Sequence, residues 1–402
     1  MIVKIDKGVA KGKIVAPPSK SMAHRLLICA SLCQGQSVVN GISDCVDVNV
    51  TLKCMQALGV NATVNGNVVT VNGGNIQNAK PLHALDCNES GSTLRFLIPI
   101  GLLTGKTVMF HGSKTLMQRP MNVYENLCKE KGLHYISDGQ TITVKGPLKG
   151  GDFSVLGNVS SQFISGLLFV LPLLEKDSRI KITPPIESRS YIEMTRSAQA
   201  LFGIETIWED DHTLFIKGGQ QYRPANVTVE GDYSGAAFPD ALNWFGGDVI
   251  VEGLNEKSIQ GDAVYKKYFE MLNKGVPTIH IGDCPDLGPI LFAVAAAKNG
   301  GVFSGTKRLK IKESDRAEAM AEELKKFGTA VTVCEDKVVV YPADFHPPKE
   351  AINSHNDHRI AMSCAVLLTL TGGEIVGAEA VSKSYPAFFD HLSQLGIGVT
   401  KV

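Results

Sequence analysis

Hydrophobic and polar positions along the chain repeat one order: short strand, polar turn, apolar helix, glycine-flanked strand, second helix stopped at glycine, then a hairpin. In the first copy a strand over 13–16 leads to a helix over 22–32, a strand over 37–40 and a helix over 48–58 stopped by Gly59. Asn65-Gly66-Asn67 between alternating apolar residues then signals a hairpin. The second copy begins near Leu85, with a helix over 92–103, a strand over 107–111, a second helix before Gly132 and a turn at Asp138-Gly139. The third opens at Phe153, places helices over 162–174 and 191–202, and ends in a strand over 215–217. After the loop 218–224 the series restarts at 227–229, at 278–280 and near Ala351, its fourth copy truncated before the hairpin.

Three copies on either side of one loop predict a mixed α/β chain of two similar domains, each of three βαβαββ units. The N-terminal domain is expected over 14–224. The sixth unit is expected to run out at Val402 without a final strand, while the alternating start Met1-Ile2-Val3-Lys4-Ile5-Asp6 has no unit of its own. Residues 1–13 are therefore expected to join 225–402 and complete the C-terminal domain. The chain then crosses between domains near Lys11-Gly12-Lys13 and near Arg223-Pro224, a two-crossing hinge.

At 402 residues the chain exceeds one ordinary core, and 44% hydrophobic with 20% charged residues suits buried cores rather than disorder. Its 40 basic and 40 acidic residues cancel, which counts against a nucleic-acid binder but leaves room for local cation clusters. The 9 cysteines form no C-x-x-C pair and no zinc spacing, as expected of reduced thiols in a cytoplasmic protein. His355 and His358 flank Asn356-Asp357 without a further ligand cluster, so no metal is expected. The longest apolar run, 163–174, contains Ser165, Gly166 and Pro172 and is too short to span a bilayer. The N-terminus lacks a signal peptide's apolar core, and a soluble protein is expected.

Candidate chemistry gathers where each unit's first helix begins. The segments are Pro17-Pro18-Ser19-Lys20-Ser21 with Arg25, Asn88-Glu89-Ser90-Gly91-Ser92 with Arg95, Ser160-Ser161-Gln162, Asp232-Tyr233-Ser234, Asp283-Cys284-Pro285-Asp286 and Asn356-Asp357-His358-Arg359. Helix N-termini attract anions, and Lys20, Arg316 and Arg359 stand where a cation is unfavourable unless an anion lies beside it. Ser21 and Arg25, four apart, share a helix face. Arg119 follows the second unit's middle strand and Lys383 the sixth unit's equivalent. Any one such cation is ordinary solvated surface; their repetition points to a polyanionic ligand. Lys312-Glu313-Ser314-Asp315-Arg316 follows a strand-like 306–311 and opens an amphipathic helix over 317–327, with Asp315 and Glu318 at capping-box spacing. Among so many cations, Asp286 and Glu313 suit proton transfer better than phosphate binding.

In this order and spacing the motifs resemble the 5-enolpyruvylshikimate-3-phosphate synthase family across essentially the whole chain, with Arg119-Pro120, Ser188 before Tyr191, Glu230-Gly231-Asp232 and Lys383 before Pro386 in the same pattern. The resemblance implies two domains of inside-out α/β barrel (α-β prism) form. It implies transfer of the enolpyruvyl group of phosphoenolpyruvate to the 5-hydroxyl of shikimate 3-phosphate, with release of phosphate and without metal or organic cofactor. By the same resemblance, Lys20, Ser21, Arg25, Ser160, Ser161, Gln162, Ser188, Tyr191, Asp286 and Lys312 would hold shikimate 3-phosphate. Lys20, Gly91, Arg119, Gln162, Arg316, Arg359 and Lys383 would hold phosphoenolpyruvate. Catalysis would fall to Lys20, Asp286 and Glu313: Asp286 as base on the hydroxyl, and Glu313 and Lys20 as candidates for protonating the enolpyruvyl carbon on the way to a tetrahedral intermediate.

Because these cations come from both halves, ligand binding is expected to close the domains. Glu89, Ser92, Phe96 and Arg308 depart from the pattern of the best-known members. The related transferase acting on a UDP-sugar typically carries a reactive cysteine on a loop, and no cysteine lies near Arg119 in the sequence. A mere sensor of phosphorylated metabolites would not need both Asp286 and Glu313. The expected partners are the two small substrates, with no nucleic acid and no membrane, and the expected state is a monomer.

Overall fold

Two kinds of helix alternate along the chain, and their composition separates them. Gly91–Leu103, Ser161–Val170, Gly288–Ala297 and His358–Thr371 bury nearly every residue. Asn122–Glu130, Tyr265–Lys274 and Arg316–Lys326 bury one face and expose charge on the other. A helix with no polar side has to be enclosed. In the computed structural model, which describes residues 1–74, 76–79 and 83–402, the fully buried helices pack on other helices and against the sheets.

The chain forms two compact units, Lys20–Glu230 and Met1–Ser19 with Gly231–Val402. Each sheet of the first unit has the strand order of one repeat. Leu85–Asp86 runs parallel to Thr107–His111, which pairs antiparallel with Thr141–Lys145, itself hydrogen-bonded to His134–Ser137. Asp152–Leu156, Ser178–Thr183, Thr213–Ile216 and Thr206–Trp208 repeat that order. In the remaining sheet, Asn65 pairs with Val68 across a turn whose Gly66 has φ +59°, the left-handed backbone that glycine adopts without strain.

One pairing departs from the sequence-based expectation. The strand expected over 13–16 to open the first unit is Lys11–Val15, and it lies parallel to Asp248–Glu252 in the other unit. Its expected place beside Gly35–Asn40 is taken by Asn226–Thr228. The chain therefore passes from one compact unit to the other between Ser19 and Lys20 and between Glu230 and Gly231, whereas the boundaries expected for 14–224 and for 1–13 plus 225–402 lie six residues earlier in each case. Alternation identifies a strand but not its partner, and the tendency of sequence neighbours to pair fails at this exchange.

In the second unit, Thr278–His280, Gly301–Ser304, Lys337–Val340 and Val331–Val333 form one sheet. In another, Ile2–Ile5 lies between Gly373–Val376 and Val399–Lys401, with Ile352–Asn353 at the edge. The N-terminal strand thus joins the sixth sheet. Contrary to expectation, the sixth unit also has its own last strand, Val399–Lys401, too short to stand out in the sequence. The truncated fourth unit leaves a two-stranded sheet. The strand-like 306–311 is a 3₁₀ helix, Lys307–Ile311, because the strand Gly301–Ser304 ends at Gly305 with φ +72°. The six sheets stay separate, and no barrel closes among the described residues.

Candidate active site

Each unit carries its own cluster of cations at helix starts. In the first unit, Lys20 opens the helix Lys20–Leu32, and its Nζ lies 2.9 Å from Asp47 Oδ2. The helix terminus disfavours a lysine there, and Asp47 supplies the compensating charge. One turn on, Arg25 is buried. Its Nε donates to Thr195 Oγ1 at 2.8 Å, Nη1 to the Ser21 carbonyl at 2.6 Å and Nη2 to the Tyr191 carbonyl at 3.0 Å. Burial lowers its pKa to about 10, which still leaves it charged at neutral pH. The structure therefore brings Ser21, Arg25 and Tyr191 together. Ser188, buried just ahead of the helix Arg189–Leu201, has a left-handed φ of 57°. Asn88, His355 and Asn356 share that unusual backbone, and all four stand within three residues of a helix start.

The same unit's second helix start depends on a missing side chain. A Cβ on Gly91 would stand 2.8 Å from Arg119 Nη1 and 3.2 Å from Arg95 Nη1, so glycine alone lets both guanidinium groups approach the N-terminus of Gly91–Leu103. Gln162 fixes Arg95, accepting from its Nη1 at 2.8 Å, and donates to Ser92 Oγ at 2.9 Å. Ser160 caps Ser161–Val170 through a 3.3 Å bond from Gln162 N, with Ser161 buried beside it.

In the second unit Asp286 is the hub. Its Oδ1 lies 3.2 Å from Lys312 Nζ and 2.9 Å from Arg316 Nη1, and its Oδ2 lies 3.0 Å from Arg359 Nη2. It sits in the short turn Pro285–Leu287 and binds cations rather than capping a helix. Arg316 also donates to Glu313 Oε2 at 2.7 Å and through Nε to Asp357 Oδ2 at 2.8 Å. Burial alone would lower its pKa, but Asp357, Glu313 and Asp286 reverse this and raise it. Lys312 is displaced the other way. Desolvation, partly offset by Asp286, lowers its pKa to about 8, although 24% side-chain exposure lets water reach the ammonium and moderates the burial.

Asp357 caps His358–Thr371 by accepting from Arg359 N at 2.9 Å, and also takes the Ser314 hydroxyl at 3.1 Å. Lys383 donates to the Asn356 carbonyl. Lys312, Glu313, Arg316, Asp286 and Arg359 are thus gathered as one cluster, while Lys383, at the end of the 3₁₀ helix Ala378–Lys383, is bonded to the turn ahead of Arg359. Sequence reasoning gave no role to Asp47 or Asp357. The signal was present in the cations at helix starts, which call for a negative neighbour; the protein's own carboxylates fill that place. Among the described residues, Glu322, Glu323 and His355 bring possible metal-ligand atoms within 4.8 Å of one another. There Lys326 Nζ already lies 2.8 Å from Glu323, and the Glu323 hydrogen bond raises the His355 pKa, favouring a proton over a metal ion.

The chain matches the family model described as EPSP synthase (3-phosphoshikimate 1-carboxyvinyltransferase) over residues 6–392. It is 40% identical to a 3-phosphoshikimate 1-carboxyvinyltransferase of Clostridium perfringens, with 99% of each chain covered. It is 39% identical to one of Clostridium acetobutylicum, covering 98% of this chain and 97% of that relative. An EPSP synthase structure from Acinetobacter baumannii shares the fold with a TM-score of 0.79 at 24% identity, covering 100% of both chains. The family match takes in both clusters and every segment that builds them, and the chain belongs to the EPSP synthase family.

Proposed function

We propose that the two clusters serve one reaction, the transfer of the enolpyruvyl group from phosphoenolpyruvate to the 5-hydroxyl of shikimate 3-phosphate with release of phosphate. The family match and the relatives' names support the reaction. The observation that carries the chemistry is the Asp286 carboxylate, held by Lys312, Arg316 and Arg359. An anionic ligand that draws those cations to itself releases the carboxylate oxygens to accept the proton of the attacking hydroxyl. Glu313, also paired with Arg316, or Lys20 returns a proton to the enol methylene. Arg119, Arg316, Arg359 and Lys383 then stabilise the departing phosphate. Ser21, Arg25, Ser160, Ser161, Gln162, Ser188, Tyr191 and Lys312 orient the shikimate ring and its phosphate, while Gly91 leaves room for phosphoenolpyruvate beside Arg119.

No helix among the described residues is long and apolar enough to cross a membrane. With a net charge of +0, the chain is proposed to act as a cytoplasmic monomer on small molecules, without nucleic acid or cofactor. The test is release of phosphate from phosphoenolpyruvate by the purified protein. Release that requires shikimate 3-phosphate is expected. Tight binding of either substrate without turnover would turn the reading toward a sensor.

A further inference from the structure

A buried line of hydrogen bonds runs behind the first unit's cluster and has no place in the ligand assignments. His24 Nδ1 lies 2.7 Å from Thr51 Oγ1, which lies 2.7 Å from Thr93 Oγ1, which in turn lies 2.7 Å from Ser90 Oγ. None of the four residues is more than 1% exposed. They tie together Lys20–Leu32, Val46–Ala57 and the capped start of Gly91–Leu103.

A hydroxyl has one proton to give, which fixes the direction of the line. Thr93 gives its hydroxyl proton to Ser90 Oγ, so its own oxygen accepts from Thr51, and Thr51 accepts from His24 Nδ1–H. His24 Nε2 then carries only a lone pair. That atom is buried without a hydrogen-bond partner, a place where an N–H would be the costlier orphan. Burial, then the charges of Lys20 and Arg25, hold the His24 pKa well below its ordinary value, so the ring stays neutral.

We propose that His24, Thr51 and Thr93 are positioning residues that fix the Ser90-Gly91 turn against the helix carrying Lys20, and that they thereby set affinity for phosphoenolpyruvate. The substrate in this inference rests on the proposed function. The turn has little slack, because Gly91 lies so close to Arg119 and Arg95 that even a Cβ would displace them. A hydroxyl removed from the line lets the turn shift and carries the Arg119 guanidinium off its binding geometry.

The experiment pairs kinetics with nitrogen NMR. Thr51→Val removes the hydroxyl at constant shape. It is expected to raise KM for phosphoenolpyruvate about tenfold, as the two buried hydrogen bonds made by that hydroxyl, to His24 and to Thr93, are lost together. KM for shikimate 3-phosphate and kcat should stay within about twofold, and Thr51→Ser should restore the wild-type values. Equal increases in both KM values, a fall in kcat alone, or a Thr51→Ser enzyme no better than Thr51→Val would overturn the proposal. Should Thr51→Val fold poorly, Thr93→Val carries the same expectation. In the unliganded wild-type protein, ¹⁵N shifts should show a neutral His24 with its proton on Nδ1 from about pH 5.5 to 8. A proton on Nε2, or titration near the ordinary histidine value, would refute the line. Those shifts can be read even if the wild-type protein turns over neither substrate, so failure of the function and failure of this inference are distinguishable.

Discussion

Gly91 and Lys312 show how much one residue can decide. An alanine at position 91 pushes on the far end of a flexible arginine, Arg119 Nη1 at 2.8 Å, so the fold should tolerate it while the guanidinium swings away. Gly91→Ala is expected to raise KM for phosphoenolpyruvate about tenfold or more, the loss of one charge-assisted hydrogen bond, with a thermal midpoint close to wild type. Lys312, proposed to hold shikimate 3-phosphate, has its pKa lowered to about 8 and is fully charged only below that pH. KM for shikimate 3-phosphate should rise as pH rises above about 8, and Lys312→Arg, which keeps its charge, should remove that rise. Stability moves oppositely. The folded state disfavours the charged form, a cost present in full below about 8 and relieved as pH climbs toward the ordinary 10.5. The sequence showed which residues carry charge but not which charges meet. Asp47 is an ordinary acid in the first turn of Val46–Ala57 until Lys20 is found 2.9 Å away.

Among single elements, helix starts carry the proposed site, and their caps were the most legible feature of the sequence. Asp315 caps Arg316–Lys326 by accepting from Glu318 N at 3.3 Å, as the capping-box spacing implies. Ser90, Ser160, Asp232 and Asp357 cap their helices in the same manner. Local spacing decides such contacts, so a sequence can announce them. Asp357 does more than cap, because it also holds the buried Arg316. Asp357→Ala is expected to cost about 3 kcal/mol or more in urea unfolding, since it leaves a buried guanidinium short of its partner. Asp315→Ala, a cap without that second duty, should cost about 1 kcal/mol. Equal costs for the two would show that Asp357 acts only as a cap. The 3₁₀ helix Lys307–Ile311 resembles a strand in sequence because its residues alternate; only the left-handed Gly305 before it separates the two readings.

Across the whole molecule, the repeat count and the α/β class were legible because periodicity accumulates over many residues. The exchange of Lys11–Val15 for Asn226–Thr228 was not, since nothing within either strand names its partner. Charge also reads differently at this scale. A chain with +0 net charge exerts no long-range pull on its substrates, and attraction is confined to the two clusters. Raising ionic strength with tetramethylammonium chloride, from about 0.02 to 0.2 M, is expected to increase KM for both anions several-fold while kcat stays within about twofold. A large fall in kcat would place the screened charges in the chemical step instead.

In the proposed reaction one proton leaves the attacking hydroxyl while another reaches the enol carbon, through protein groups that exchange with solvent. Turnover of shikimate 3-phosphate and phosphoenolpyruvate in heavy water tests it most directly. The methylene gains a solvent-derived deuteron to become a methyl group and loses one hydrogen when phosphate departs, so product carrying deuterium in its enolpyruvyl methylene is expected. Product formed at the normal rate with no deuterium at that carbon would rule out proton delivery from exchangeable protein groups.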